Sequence, residues 1–134
     1  MKKEIAGEIS FEHYEVTKIT YEANEQCDKN EFSMDFDVNS NSFISEDGKL
    51  MSVELTVVVF PNAVQNNYPF EMVVKLCGCF ENKSNGDIKR YEPNAIAILY
   101  PYVRAIVATY TSVANITPVN LPTVNINKML KNKH

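Results

Sequence analysis

The stretch PNAIAILYPYVRAIVATYTSV, Pro93 to Val113, followed by TPVNLPTVNINKML, Thr117 to Leu130, decides the fold. Ile96, Leu99, Tyr100, Val103, Ile106, Val107, Tyr110 and Val113 recur at spacings of three and four, which gives a helix of about five turns with a broad apolar face. Pro93 suits the first helical position, where its missing N–H would be unpaired anyway. Pro101 lies inside the run and removes the hydrogen bond to the Ala97 carbonyl, so a kink or short break is expected there. Pro118 and Pro122 forbid regular helix from Asn115 to Val124 and predict an extended loop. A stub from Asn125 to Lys133 carries Ile126, Met129 and Leu130 and needs packing to persist as a helix.

Toward the N-terminus the period changes to that of strands. Residues 8–21, EISFEHYEVTKITY, alternate with two changes of phase, at Ile9 and Phe11, then Tyr14 and Val16, then Ile19 and Tyr21. A long strand with bulges fits them. Phe32, Met34, Phe36 and Val38 alternate strictly with polar residues and predict a second strand with one wet face. A loop from Asn39 to Lys49, containing Asp47-Gly48, leads into MSVELTVVVF, Met51 to Phe60, whose end reads as buried on both faces. YPFEMVVKLCGCF, Tyr68 to Phe80, is the fourth strand, and Asn85-Gly86 turns the chain after it. Four strands in succession predict one antiparallel sheet, and the fold class is α+β: this sheet, the long helix, the Pro-rich loop and the short C-terminal helix.

With 134 residues, 45% hydrophobic and 22% charged, the chain fits a single domain spanning 1–134. Its net charge of −4 argues against a nucleic-acid partner. All seventeen acids precede Pro93 with nine of the basic residues, so residues 1–92 carry −8 and residues 93–134 carry +4. Two faces with different partners are expected. No run approaches the roughly 18 apolar residues of a membrane span, the start MKKEIAGEIS has no signal-peptide core, and three cysteines fit a reducing compartment. A cytoplasmic location without membrane insertion is expected.

Enzymatic chemistry finds little support. His13 and His134 are the two histidines, and neither a phosphate-binding Gly-rich loop nor a nucleophile elbow occurs. Cys77 and Cys79 read as small buried hydrophobes rather than metal ligands, and Asp35 and Asp37 as the solvated side of a strand. No catalytic residue, metal or cofactor is expected.

The local sequence resembles the SecB family of protein-export chaperones. The resemblance is carried by GEISFE at 7–12, FSMDFD at 32–37, VELTVVV at 53–59, GCF at 78–80, and above all Leu99-Tyr100-Pro101-Tyr102-Val103-Arg104 and Pro118-Val119-Asn120-Leu121-Pro122-Thr123-Val124-Asn125. The family's corresponding segments read Leu-Phe-Pro-Tyr-Ala-Arg and Pro-x-Leu-x-Leu-x-Pro-Val-Asn. This ordered set covers nearly the whole chain. It implies a sheet covered by helices, assembled as a dimer of dimers, that holds unfolded precursors translocation-competent and delivers them to the SecA motor.

The resemblance places a client-binding groove at Phe32, Met34 and Phe36, facing Ile116, Val119, Leu121, Ile126, Met129 and Leu130. Exposed apolar and adaptable side chains suit clients of many sequences. Glu8 and Glu12 match two acids of the family's SecA-facing sheet, while a third falls at Val73. The family's longer last helix and acidic tail are replaced by Lys131-Asn132-Lys133-His134. Self-association is expected through Met72, Val74 and Leu76 on the fourth strand and Tyr100, Val103, Ile106, Val107 and Tyr110 on the long helix, whose apolar faces exceed what one sheet covers. Three functions stay open: an export chaperone, a SecB-like chaperone dedicated to one partner such as an antitoxin, and a divergent SecB-like scaffold without an export role.

Overall fold

The computed structural model describes residues 4–6, 8–29, 32–114 and 118–133. Its centre is made by two strands whose alternation is complete. In β4 (Leu50–Val59), Met51, Val53, Leu55, Val57 and Val59 turn inward. In β5 (Phe70–Asn82), Phe70, Met72, Val74, Leu76 and Phe80 do the same. β-branched and aromatic side chains at every second position favour a pleated strand with one buried face. The end of β4 is not buried on both faces as expected: Val58 turns outward, opposite Val73, and is only partly covered.

β2 (Ile9–Ala23) pairs with β5, and its two bulges, between Phe11 and His13 and between Val16 and Lys18, fall where the sequence changes phase. Each bulge returns the apolar set to the inner face, so Phe11, Tyr14, Val16, Ile19 and Tyr21 stand opposite inward-facing residues of β5. Among the described residues β3 (Phe36–Ile44) pairs only with β4, and a short β1 (Glu4–Ala6) adds an outer strand beside β2. The five antiparallel strands run β1-β2-β5-β4-β3, so β2 and β3, consecutive in sequence, lie on opposite sides of the β4–β5 pair. This is the Greek-key arrangement rather than a simple succession.

The second strand begins later than its alternation predicts. Residues 32–35 lie outside it, and Asn39–Ile44, expected as loop, belong to it. Main-chain pairing with β4, from Phe36 opposite Val59 to Ile44 opposite Met51, carries these polar residues despite their low strand propensity. The Asp47-Gly48 turn forms as expected, with Gly48 at φ +72°. Between β4 and β5 stand three left-handed residues without a glycine, Phe60, Asn62 and Asn67, around the short α1 (Ala63–Asn66). The aromatic one is the unusual case, at a cost of about 1–2 kcal/mol.

A 3-10 turn over Ile88–Tyr91, capped by Asp87, leads into α2 (Glu92–Val113), which continues through Pro101 without a break. Ile96, Leu99, Val103 and Val107 of α2 are buried on the sheet. Gly78 permits the approach: a Cβ there would lie 2.6 Å from Leu99 Cδ2. By length and composition Ile88–Val113 is apolar enough to cross a membrane, contrary to expectation, but in this fold it forms the layer over the sheet. α3 (Ile126–Lys133) follows, its first turn capped by Asn125 Oδ1, which accepts from the Lys128 N–H at 2.9 Å.

Candidate polypeptide-binding surface

Residues 32–36 stand on an aromatic platform. Phe32 and Met34 are 42% and 38% exposed, and Phe36 is half-buried at the start of β3. The Phe32 ring meets Phe60 edge-on at 5.2 Å, and Phe60 in turn packs on Tyr68 at 4.9 Å and Phe70 at 5.1 Å. Asp35 is not a solvated acid. Its carbonyl accepts from the Phe60 N–H at 2.8 Å, and its carboxylate accepts from the Tyr68 hydroxyl at 2.9 Å. That bond comes first among the causes holding the Tyr68 phenol above the ordinary tyrosine range.

Phe36 and Val38 pack against the same core as Val119, Val124, Ile126, Met129 and Leu130, all of them partly exposed. The extended segment 118–124 is fastened to α2 by side chains. Arg104 Nε donates to the Leu121 carbonyl at 2.8 Å, and the Tyr100 hydroxyl to the Pro122 carbonyl at 2.7 Å. Thr111 Oγ1 accepts from the Val119 N–H at 2.9 Å. Leu121, expected in a groove, is a correction: at 1% exposure it belongs to the core, drawn in by these bonds to its neighbours and itself. Ile116 lies outside the described residues.

The expected self-association surface is corrected as well. Met72, Val74, Leu76, Val103 and Val107 are wholly buried between sheet and helix, and Tyr100 is nearly so, because the same apolar face that α2 offers is consumed by its own sheet. Ile106 and Tyr110 remain near the surface. Together with Ile19 and Val113 they line a shallow apolar depression. The inner face of β2 extends it: Tyr14, Val16 and Ile19 are exposed beside α2, with Tyr14 stacked on Tyr102 at 4.3 Å and the Tyr21 ring tilted against Tyr110 at 5.7 Å. Sequence reading missed this strip, although the phase changes in β2 place it on the inner side.

Glu8 is exposed just before β2, its carbonyl accepting from the Lys83 N–H at 2.7 Å, and Glu12 sits half-buried at the first bulge, accepting from Ser10 Oγ at 2.9 Å. Both lie at one corner of the sheet. The outer face carries further acids at Glu15 and at the cross-strand pair Glu22 and Glu71, and Val73 lies there between Thr20 and Val58. Cys77 and Cys79 share that face and are half-buried, not buried. Cys77 Sγ lies 3.0 Å from Ser52 Oγ, while burial and then Glu12 push the Cys79 thiol up. No group of three His, Cys, Asp or Glu side chains fit to hold a metal occurs among the described residues.

The family described as preprotein translocase subunit SecB matches residues 1–134. An uncharacterized protein of Methanocaldococcus jannaschii is 30% identical over 130 residues, covering 92% of this chain and 83% of the relative. Among solved structures, a Mycobacterium tuberculosis SecB-like chaperone in complex with a ChAD peptide from the HigA1 antitoxin superposes with a TM-score of 0.62 at 11% identity, over 87% of this chain and 91% of that one. A protein of unknown function from Streptococcus agalactiae superposes with a TM-score of 0.54 at 15% identity, over 92% and 100%. At these identities the two structures establish a shared fold.

Proposed function

The chain belongs to the SecB family, and from that premise we propose that it is a chaperone that binds unfolded or precursor polypeptides through Phe32, Met34 and Phe36 on one side and Val119, Ile126, Met129 and Leu130 on the other. The observation that carries this reading is the exposure of Phe32 and Met34 above a built aromatic platform, which leaves two neighbouring apolar side chains open to a polypeptide. Each client side chain buried there contributes roughly 1.5–3 kcal/mol, so a few contacts in series hold a client without a directional code. Met34 and Met129 adapt to varied shapes. Holding is binding without bond chemistry, so neither catalyst nor cofactor is needed, and the site of action is the cytoplasm.

Delivery to SecA is the export form of this reading. It is supported by Glu8 and Glu12 at one corner of the sheet and by Glu15, Glu22 and Glu71 on its outer face, where acids outnumber the cross-strand pair Lys18 and Lys75 and favour encounter with a basic partner. The dedicated form, one client such as an antitoxin, is favoured by the peptide bound to the M. tuberculosis relative in fold. In either form the open depression formed by Ile19, Ile106, Tyr110 and Val113 is covered by a second copy of the chain, since no charged side chain lines it.

The deciding experiment is suppression of aggregation of several unrelated unfolded polypeptides, alongside a SecA binding assay. Suppression of many with SecA binding supports export, and rescue of one small protein without SecA binding supports the dedicated form. Phe32→Ser with Met34→Ser lowers client affinity about tenfold or more without disturbing assembly. Unchanged holding by that double variant removes these residues from the site.

A further inference from the structure

Taking residues 32–36 as client-contacting, we propose that Phe60 and Tyr68 are positioning residues that hold this segment in its binding shape before any client arrives. The segment needs holding. β3 begins only at Phe36, so residues 32–35 lack the ladder that fixes the rest of that strand, and two of them present apolar side chains to water.

Phe60 supplies the first hold through its backbone. In a continued strand, Val59 would face inward and the next residue outward. Here both are buried, because the left-handed turn at Phe60, φ +55°, swings the ring back inward. The same turn aims the Phe60 N–H at the Asp35 carbonyl and leaves the ring in perpendicular contact with that of Phe32. Glycine would adopt this φ freely but would offer no ring. A strained aromatic at this position is therefore explained by the segment it supports.

Tyr68 supplies the second hold. Its hydroxyl donates to Asp35 Oδ2 while its ring packs against Phe60, so Asp35, between Met34 and Phe36, is tied at both main chain and side chain. Ordering the segment in advance removes an entropy cost that each client would otherwise meet on binding.

The test uses the full chain with reduced, carboxymethylated lactalbumin as an unfolded client, together with amide hydrogen exchange over residues 32–36 without client. Tyr68→Phe keeps the ring contact and deletes the donor. It is expected to weaken client binding about three- to tenfold and to speed exchange in the segment, with the melting temperature nearly unchanged. Asp35→Ala matches it, the double variant adds nothing further, and Asp35→Asn, which keeps an acceptor oxygen, binds close to wild type. The proposal is overturned if the wild type binds and Tyr68→Phe binds equally well while Phe32→Ser with Met34→Ser is impaired. It is also overturned if exchange is unchanged in both Tyr68→Phe and Asp35→Ala. A wild-type chain that binds no client overturns the client reading itself and this inference with it.

Discussion

The two flanks of α2 are built from one helix and treated in opposite ways. On one flank, Tyr100, Arg104 and Thr111 bond to the main chain of residues 119–122 and fix an extended segment over the core. On the other, Tyr102 and Tyr110 meet Tyr14 and Tyr21 of β2 ring to ring, and Ile106 and Val113 are left at a depression open to the surface. The fastened flank is covered by the chain itself through directional bonds, which select one register. The open flank offers mainly aliphatic and aromatic surface, whose contact is non-directional and gains by area, as suits a surface completed by another molecule. Six turns of amphipathic helix thus serve an internal and an external partner at once.

The largest expected effect comes from breaking the open flank. A carboxylate introduced by Ile106→Asp would be buried without a partner wherever a second copy covers the depression, so self-association should fall by about a hundredfold or more. The change is checked by light scattering across a concentration series, with circular dichroism unchanged. Equal association of variant and wild type would free this flank from the interface and leave it a bare surface.

The fastened flank should respond through stability instead. Thr111 is wholly buried, and its hydroxyl both donates to the Val107 carbonyl at 2.8 Å and accepts from Val119. Thr111→Val keeps the shape and strands the Val119 N–H, a loss of about 1–2 kcal/mol. Melting should drop by about 3–8 °C, and amide exchange at Val119 should quicken while assembly is retained. A melting point held at the wild-type value would mean that the segment is kept in place by Leu121 packing alone.

How far this contrast was visible beforehand differs by element. The helix and the bulged β2 were legible because side-chain periodicity reports which face is buried, and both phase changes at Tyr14 and Ile19 correspond to real bulges. Strand order was not, since alternation tells faces and not neighbours; nothing in residues 8–38 states that β2 joins β5 and leaves β3 to β4. Asn39–Ser42 hid a strand because ladder bonds use the main chain and ignore the polar side chains. At the candidate site, Phe32 and Met34 were readable from alternation, whereas their support was not. A left-handed Phe60 has no glycine to announce it, and Tyr68 reaches Asp35 only after two turns of chain have brought the connection between α1 and β5 back to the segment. Leu121 was misread because prolines on either side mark a loop without saying how deeply it lies.

The smallest effect, and the one that sets the flanks side by side, is in tyrosine ionisation. Burial raises the phenol of Tyr100 on the fastened flank, opposed by the positive charge of Arg104, and burial with the neighbouring Tyr110 raises that of Tyr21 on the open flank. Each holds its proton in the folded chain to a higher pH than in the unfolded one. Their contribution to stability is therefore complete below the ordinary tyrosine value near 10 and is lost as pH climbs from there through the folded values. Tyr100→Phe removes one share of this alkaline loss and one hydrogen bond, at a cost of about 0.5–1.5 kcal/mol at neutral pH. Arg104→Met should push the Tyr100 phenol still higher, because the opposing charge is gone, and should leave Tyr21 where it was. Raising the protein concentration should do the reverse. If a second copy covers the open flank, Tyr21 loses further contact with water and titrates later, while Tyr100, already sealed by the chain's own segment, does not move. Spectrophotometric titration of wild type, Tyr21→Phe and Tyr100→Phe at two concentrations separates the two groups. A concentration-dependent shift in the Tyr100 signal instead of the Tyr21 signal would reverse the assignment of which flank faces the partner.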